Sequence, residues 1–244
     1  MTKSEQTSQT PANQAAEAER WAMADVKSHV RLWFFAAAGL TADLVSKSWA
    51  FDTLSHSDGR VLIKGICNLQ LSLNPGALFG LGAGFAPIFV GASVLALMFV
   101  LYLFANCAAA RWGTHIALGL VLAGALGNLY DRATQEAYVA HFADGGRIIG
   151  LLEDKTDLGV TLGEFPHGGN LRFYPGKLDE ARSGNQPVVR DFIKIEARLG
   201  QLHWPWIFNL ADAWLVVGVF FLLISFWTDK RHHAPQPTDA APEP

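Results

Sequence analysis

Charge is scarce in this sequence. Only 17% of its 244 residues are Asp, Glu, Lys or Arg, against roughly 25% in a soluble domain. Half are hydrophobic, and the apolar residues are bunched into long runs, which marks an integral membrane protein. Cysteine is scarce too: Cys67 and Cys107 are the only two, and they are expected on opposite sides of a membrane, which excludes a disulfide framework. The net charge of −3, with no basic cluster interleaved with aromatics, argues against a nucleic-acid partner. Histidines are scattered, and only His232 and His233 adjoin, in a tail, so no metal site is expected. No Gly-x-Ser-x-Gly elbow and no His-Glu-x-x-His occur, so serine and zinc hydrolysis lack their residues. No apolar stretch with a small-residue cleavage site begins near Met1, so a removable signal peptide is not expected.

What is present reads as four spans, at about 30–51, 85–107, 115–130 and 206–227, each judged against a hydrocarbon core about 30 Å thick. Residues 1–28 and 229–244 are polar or Pro-rich and read as disordered tails. Lys27, Arg31, Arg111, Lys230 and Arg231 flank the short connections, which places both termini in the cytoplasm. Residues 29–132 then hold three spans and a first periplasmic loop, with short strands at 60–63 and 70–73, an Asn74-Pro75-Gly76 turn and a Gly-rich loop from Ala77. Residues 133–187 are too polar to span and too long for a plain loop, and read as a small extramembrane subdomain or a long flexible insertion. Residues 188–228 carry a catalytic segment and the last span. The expected fold is therefore an all-α integral membrane protein: four transmembrane helices, a small extracytoplasmic β/loop layer, and an inserted loop or subdomain before the fourth helix.

Two carboxylates stand out at the outer edge of the last span. Asp191 lies in the β-branched run Val188-Val-Arg-Asp-Phe-Ile-Lys-Ile195, which should be extended, and Asp212 lies six residues past Trp206 (212 − 206), roughly 9 Å deep if that stretch is helical. A carboxylate among Leu, Val and Phe costs several kcal/mol unless paired or neutralised, so function is the default reading. Two such groups together share a proton, one acting as base towards water and the other as acid. Packing or a proton path is the bland alternative. Asn209 should share a helix face with Asp212 and orient the substrate amide. Asn128 and Arg132 are four apart on one face with Asp131 beside them; Asp131 and Arg132 are expected mostly to tie the bundle, and Asn128, the deeper, to lie nearer the active centre. Asp43 and Lys47 are also four apart, either as a structural ion pair or as a contact to the substrate.

These motifs resemble one family, the lipoprotein signal peptidases (signal peptidase II). Asp43-Leu-Val-Ser-Lys47 looks like its first-helix box, Asn74-Pro-Gly76-Ala-Leu-Phe79 like its loop motif, and Gly124-Ala-Leu-Gly-Asn128-Leu-Tyr-Asp131-Arg132 like its third-helix box. Val189-Arg-Asp191-Phe and Phe208-Asn209-Leu-Ala211-Asp212 look like the boxes of its catalytic aspartates. The resemblance implies an aspartic endopeptidase of the bacterial inner membrane, without metal or cofactor and with its site facing the periplasm. Such an enzyme removes the signal peptide of prolipoproteins on the amino side of a diacylglyceryl-modified cysteine, works among membrane lipid, and is the target of the cyclic peptide globomycin. By matched position Asp191 and Asp212 would be catalytic, and Asn74, Gly76, Asn128, Arg132, Asn209, Asp43 and Lys47 would hold substrate or shape the site. A membrane lipid- or lipoprotein-binding module that keeps the fold is the non-enzymatic alternative. A proton-coupled carrier would need ionisable residues deep in several helices, whereas here they cluster at one side. The chain departs from the family in separating Asp131 from Asp191 by 60 positions (191 − 131), and in placing Arg190 where an aliphatic residue is usual.

Overall fold

Asp25 starts the first long helix. Its carboxylate accepts from the Ser28 amide at 2.8 Å and the Ser28 hydroxyl at 2.7 Å, the side-chain cap that a helix N-terminus requires. In the computed structural model, which describes residues 21–54, 59–76, 86–196, 198–199, 202–203 and 206–232, this helix, α1, runs Val26–Thr53. It is followed by α2 (Ala86–Ala105), α3 (Trp112–Thr134) and α4 (Leu210–His232). A single 3₁₀ turn, Ala22–Ala24, precedes α1 and is pinned to the α2–α3 connection by Ala22 N donating to Cys107 O at 2.8 Å. Residues 1–20, the expected Gly-rich loop beyond Gly76 including Ala77-Leu-Phe79, and residues 233–244 lie outside the described residues.

The central helix is α3, whose Ala117, Leu118, Val121, Leu122 and Ala125 are buried. Its glycines let neighbouring backbones approach, as small residues do between membrane helices. A Cβ on Gly124 would stand 2.3 Å from Ala211 O, and one on Gly127 would stand 2.4 Å from Asp43 Oδ2. The Gly124 contact is backbone against backbone, so only a shift of α4 relieves it. Gly124→Ala is therefore expected to lower stability by about 1–3 kcal/mol, read as a fall in thermal midpoint in detergent. Gly113→Ala, where nothing lies within 4 Å, should be neutral or stabilising.

Among the described residues, eleven strands accompany the helices. The first sheet joins β1 (Arg60–Ile63), β2 (Cys67–Asn74), β8 (Val189–Ile195) and β11 (Ile207–Phe208) in that order. Residues 133–187 hold β3 (Glu136–His141), β4 (Arg147–Thr156), β5 (Gly159–Glu164), β6 (Gly169–Pro175) and β7 (Gly184–Pro187), ordered β6-β5-β4-β3-β7. A two-strand hairpin pairs β9 (Arg198–Leu199) with β10 (Leu202–His203). The ladders of both larger sheets are antiparallel.

The all-α expectation is thus overturned. Among the described residues, two helices are long and apolar enough to cross a membrane, within Trp112–Thr134 and Leu210–Thr228. The helix α1 carries Asp43 and Lys47 on a buried face, which lowers its hydropathy. The strands were hard to see because pieces such as Ile148-Ile-Gly-Leu-Leu152 are short, and their burial alternates only in part. Wide apolar faces stay uncovered by protein: Val216, Phe220 and Leu223 of α4, and Leu95 and Met98 of α2, are exposed.

The five-stranded sheet is docked rather than dangling. Phe165, in the turn after β5, meets Phe51 of α1 edge to face at 5.9 Å, within a cluster that also buries Leu69, Leu71, Ala137, Val188 and Phe192. Its neck is closed by pairing of β3 with β7, from Glu136 opposite Pro187 to Val139 opposite Gly184, and by Val188 N donating to Gln135 O at 3.0 Å.

Candidate active site

Closing that neck brings the end of α3 against β8 despite the long separation in sequence. Asp131 is fully buried there. Its Oδ2 accepts from Arg190 N at 3.0 Å, and its Oδ1 accepts from Arg190 Nε at 3.2 Å and from a terminal guanidinium nitrogen at 2.8 Å. Strand alternation turns successive side chains to opposite faces, so Arg190 faces Asp131 while Asp191 faces the other way. The cation at position 190 therefore does not pair with Asp191.

Asp191 is 3% exposed. Register places Ser72 opposite Asp191 and Asn74 opposite Val189, so Asn74 is its diagonal neighbour on the same face. Asn74 Nδ2 donates to Asp191 Oδ2 at 3.2 Å, while its own Oδ1 accepts from Gly76 N at 3.1 Å and sets the turn. Asn209 Nδ2 donates to Asp191 Oδ1 at 2.6 Å. Burial first, and then the charge of Asp212, push the Asp191 carboxyl up to about 8, against the opposing pull of the two amides.

Asp212 is placed differently from the sequence expectation. Residues 207–208 are strand and the helix begins at Leu210, so Asp212 sits in the first turn of α4 rather than a turn and a half down a helix. Asn209 is the N-cap: its Oδ1 accepts from Asp212 N at 3.1 Å, and Asp212 Oδ2 accepts from Asn209 N at 3.3 Å. This is a reciprocal capping box, and the helix N-terminus favours the negative charge it holds. The next orphan amide, Ala211 N, donates to Asp43 Oδ1 at 2.8 Å. Asn128 Nδ2 donates to Asp212 Oδ1 at 2.8 Å. Arg132, half-buried, is coupled by charge to both Asp212 and Asp191.

Of the residues singled out from sequence, Asn74, Asn128 and Asn209 thus bond directly to the two aspartates, and Gly76 shapes the turn behind Asn74. Asn209 is 0% exposed, and its amide bonds Asn128, Asp191 and Asp212. Asp43 and Lys47 are also 0% exposed, joined at 2.8 Å, with Lys47 Nζ 3.3 Å from Asp131 Oδ2.

Asp191, buried, and Asp212, partly buried, are thus held by a shared set of amides. A model of the family described as signal peptidase (SPase) II matches residues 35–228, which include every one of these groups. The chain belongs to the signal peptidase II family. A lipoprotein signal peptidase of Rhodopirellula baltica is 32% identical over 205 residues, covering 81% of this chain and 72% of that protein. One from Bifidobacterium longum is 34% identical over 110 residues, covering 45% and 58%, and one from Desulfitobacterium hafniense is 26% identical over 170 residues, covering 70% and 75%. A solved bacterial membrane enzyme shares the fold with a TM-score of 0.56 at 20% identity, covering 84% of this chain and 93% of that one. Membership makes this chain a membrane-bound peptidase.

Alternation in an extended run turns Arg190 away from Asp191, and it is so placed; what local sequence does not show is its partner, Asp131, on which it closes the neck.

The raised Asp191 titration has a consequence for stability. The folded state keeps a proton on Asp191 that the unfolded chain releases near 4, so between about pH 4 and about pH 8 this group makes stability fall as pH rises. Asp191→Asn is expected to remove that downward slope, measured as thermal midpoints at several pH values across the interval. An unchanged slope would place the titration elsewhere.

Proposed function

We propose that this chain is a lipoprotein signal peptidase of the aspartic type, cutting prolipoproteins on the amino side of a diacylglyceryl-modified cysteine at the outer face of the bacterial inner membrane, with both termini inside. The observation that carries the reading is the convergence of Asp191 and Asp212 through Asn209, whose side chain bonds to Asp191 and, with its backbone, to Asp212. Asp212 sits where the helix N-terminus and Arg132 favour a negative charge, so it serves as base; Asp191, with its raised titration, holds the proton and serves as acid.

Water gives a proton to Asp212 as its oxygen bonds to the scissile carbonyl carbon, and Asp191 gives its proton to the carbonyl oxygen. The resulting gem-diol collapses: the amide nitrogen leaves with the proton from Asp212, and one diol hydroxyl returns its proton to Asp191. The new carboxyl and amine form, and the pair regains its starting state. Neither step needs a cofactor. The acyl chains of the substrate would stay in lipid beside the uncovered apolar faces of α2 and α4, with Arg132 and the turn at Asn74 and Gly76 at the peptide, and globomycin is expected to compete there.

The test is cleavage of a diacylglyceryl-modified prolipoprotein and its unmodified counterpart by the purified full chain. Release of the signal peptide from the modified form alone, with the lipidated cysteine as the new N-terminus and inhibition by globomycin, supports the proposal. Equal cleavage of both forms, or of neither, overturns it.

A further inference from the structure

Lys47 is fully buried, and its surroundings explain why a lysine is there. Its ammonium has only donors to offer. It stands 2.8 Å from Asp43 Oδ2 and 3.3 Å from Asp131 Oδ2, and donates to Asn128 Oδ1 at 3.2 Å. Asn128 Oδ1 also accepts from Asn209 Nδ2 at 3.1 Å. An amide whose oxygen is held by an obligate donor has one orientation left, so the Asn128 Nδ2 group must point to Asp212 Oδ1. Asn209 is fixed in the same sense by a backbone donor: its Oδ1 accepts from Asp212 N, so its Nδ2 group serves Asn128 and Asp191. The Asn128 oxygen is thus held by two donors, Asn209 and one buried cation on a different helix, and its N–H is delivered to Asp212.

We infer that Lys47 is a positioning residue for the acid–base pair, holding the oxygen of Asn128 so that its Nδ2 group donates to Asp212. The inference rests on the peptidase reading above. The alternative orientation shows what Lys47 prevents. With Asn128 turned over, its oxygen would meet Asp212 Oδ1, a contact between two acceptors unless Asp212 is protonated, and its Nδ2 would meet the ammonium. Without Lys47 the Asn128 oxygen keeps only the Asn209 donor, so its hold on that orientation weakens, and a turned Asn128 accepts from a protonated Asp212, which stabilises the form of the pair that cannot take a proton from water. The loss of a nearby positive charge acts in the same direction on Asp191.

The test compares wild type with Lys47→Met and with the double variant Asp43→Asn/Lys47→Met. The double variant removes the buried charges together and leaves an oxygen for Ala211 N, so it guards against a single variant that does not fold. Steady-state cleavage of the lipid-modified substrate is followed from pH 5 to 9. A hydrogen bond to a charged group is typically worth a ten- to hundredfold factor. The expected result is a fall in kcat by about that amount in both variants, with KM changed by less than about threefold and the acid limb of the kcat profile moved to higher pH. A rise in KM with kcat intact would make Lys47 a substrate contact and overturn the inference. So would a folded double variant with the wild-type pH profile. Wild type that does not cleave the modified substrate at all would instead overturn the peptidase reading, and the positioning role with it.

Discussion

Asp191→Asn and Asp212→Asn are each expected to lower cleavage of a lipid-modified substrate by about 10²–10⁴-fold or more, the range general acid–base catalysis supplies. The two losses should not add, because the residues act as one unit. Each substitution keeps the volume of the side chain and removes the shared proton. At 191 the new amide still offers Asn209 an oxygen, but it turns an N–H₂ group towards the Nδ2 of Asn74. At 212 it sets an N–H₂ group against either Asn128 Nδ2 or Asn209 N. Some local disorder is therefore expected in both, and circular dichroism with thermal midpoints measures it separately from rate. Residual activity within about tenfold of wild type in either variant would remove that aspartate from the chemistry. The kcat profile of wild type should fall on both sides of an optimum, with the alkaline limb reporting loss of the Asp191 proton near about 8. That limb should be absent from whatever activity Asp191→Asn retains.

The largest loss of stability is expected at Asp131. Its two oxygens take three hydrogen bonds from Arg190, Oδ2 lies 3.3 Å from the Lys47 ammonium, and the residue has no exposure to water. Breaking a buried pair by removing one partner typically costs about 3–5 kcal/mol, whereas replacing both partners by apolar groups is often nearly neutral. Asp131→Leu should therefore lower the thermal midpoint severely and reduce the yield of folded protein. Arg190→Met added to it should recover much of the loss, and a double-mutant cycle gives the coupling. Because this pair closes the neck under the five-stranded sheet, the single variant should also release that sheet. Hydrogen exchange over β3 and β7 would then rise well above that of the helices. Unchanged protection there would mean that the β3–β7 ladder and the Phe51–Phe165 contact hold the neck without the ion pair.

These expectations sort by the range of the forces behind them. What the sequence by itself determined is local. The Asp25 cap, the Asn74-Pro75-Gly76 turn and the extended run around Asp191 all depend on residues within a few positions of one another. The capping box of Asn209 and Asp212 is equally local, and its three-residue spacing was legible, though it was read as one face of a longer helix and so placed Asp212 too deep. Tertiary structure decided what no short window contains. Residues 133–187 became a sheet because strands spaced along the chain bury Phe165, Ala137 and Ile149 against α1 and the first sheet. Their pairing at Glu136 and Pro187 then carried Asp191 back to α3. Arg190 found Asp131 across 59 positions, and Lys47 found Asn128 across 81. A buried charge takes whichever partner the fold brings to it, because leaving it alone in a low-dielectric interior costs more than any local preference supplies.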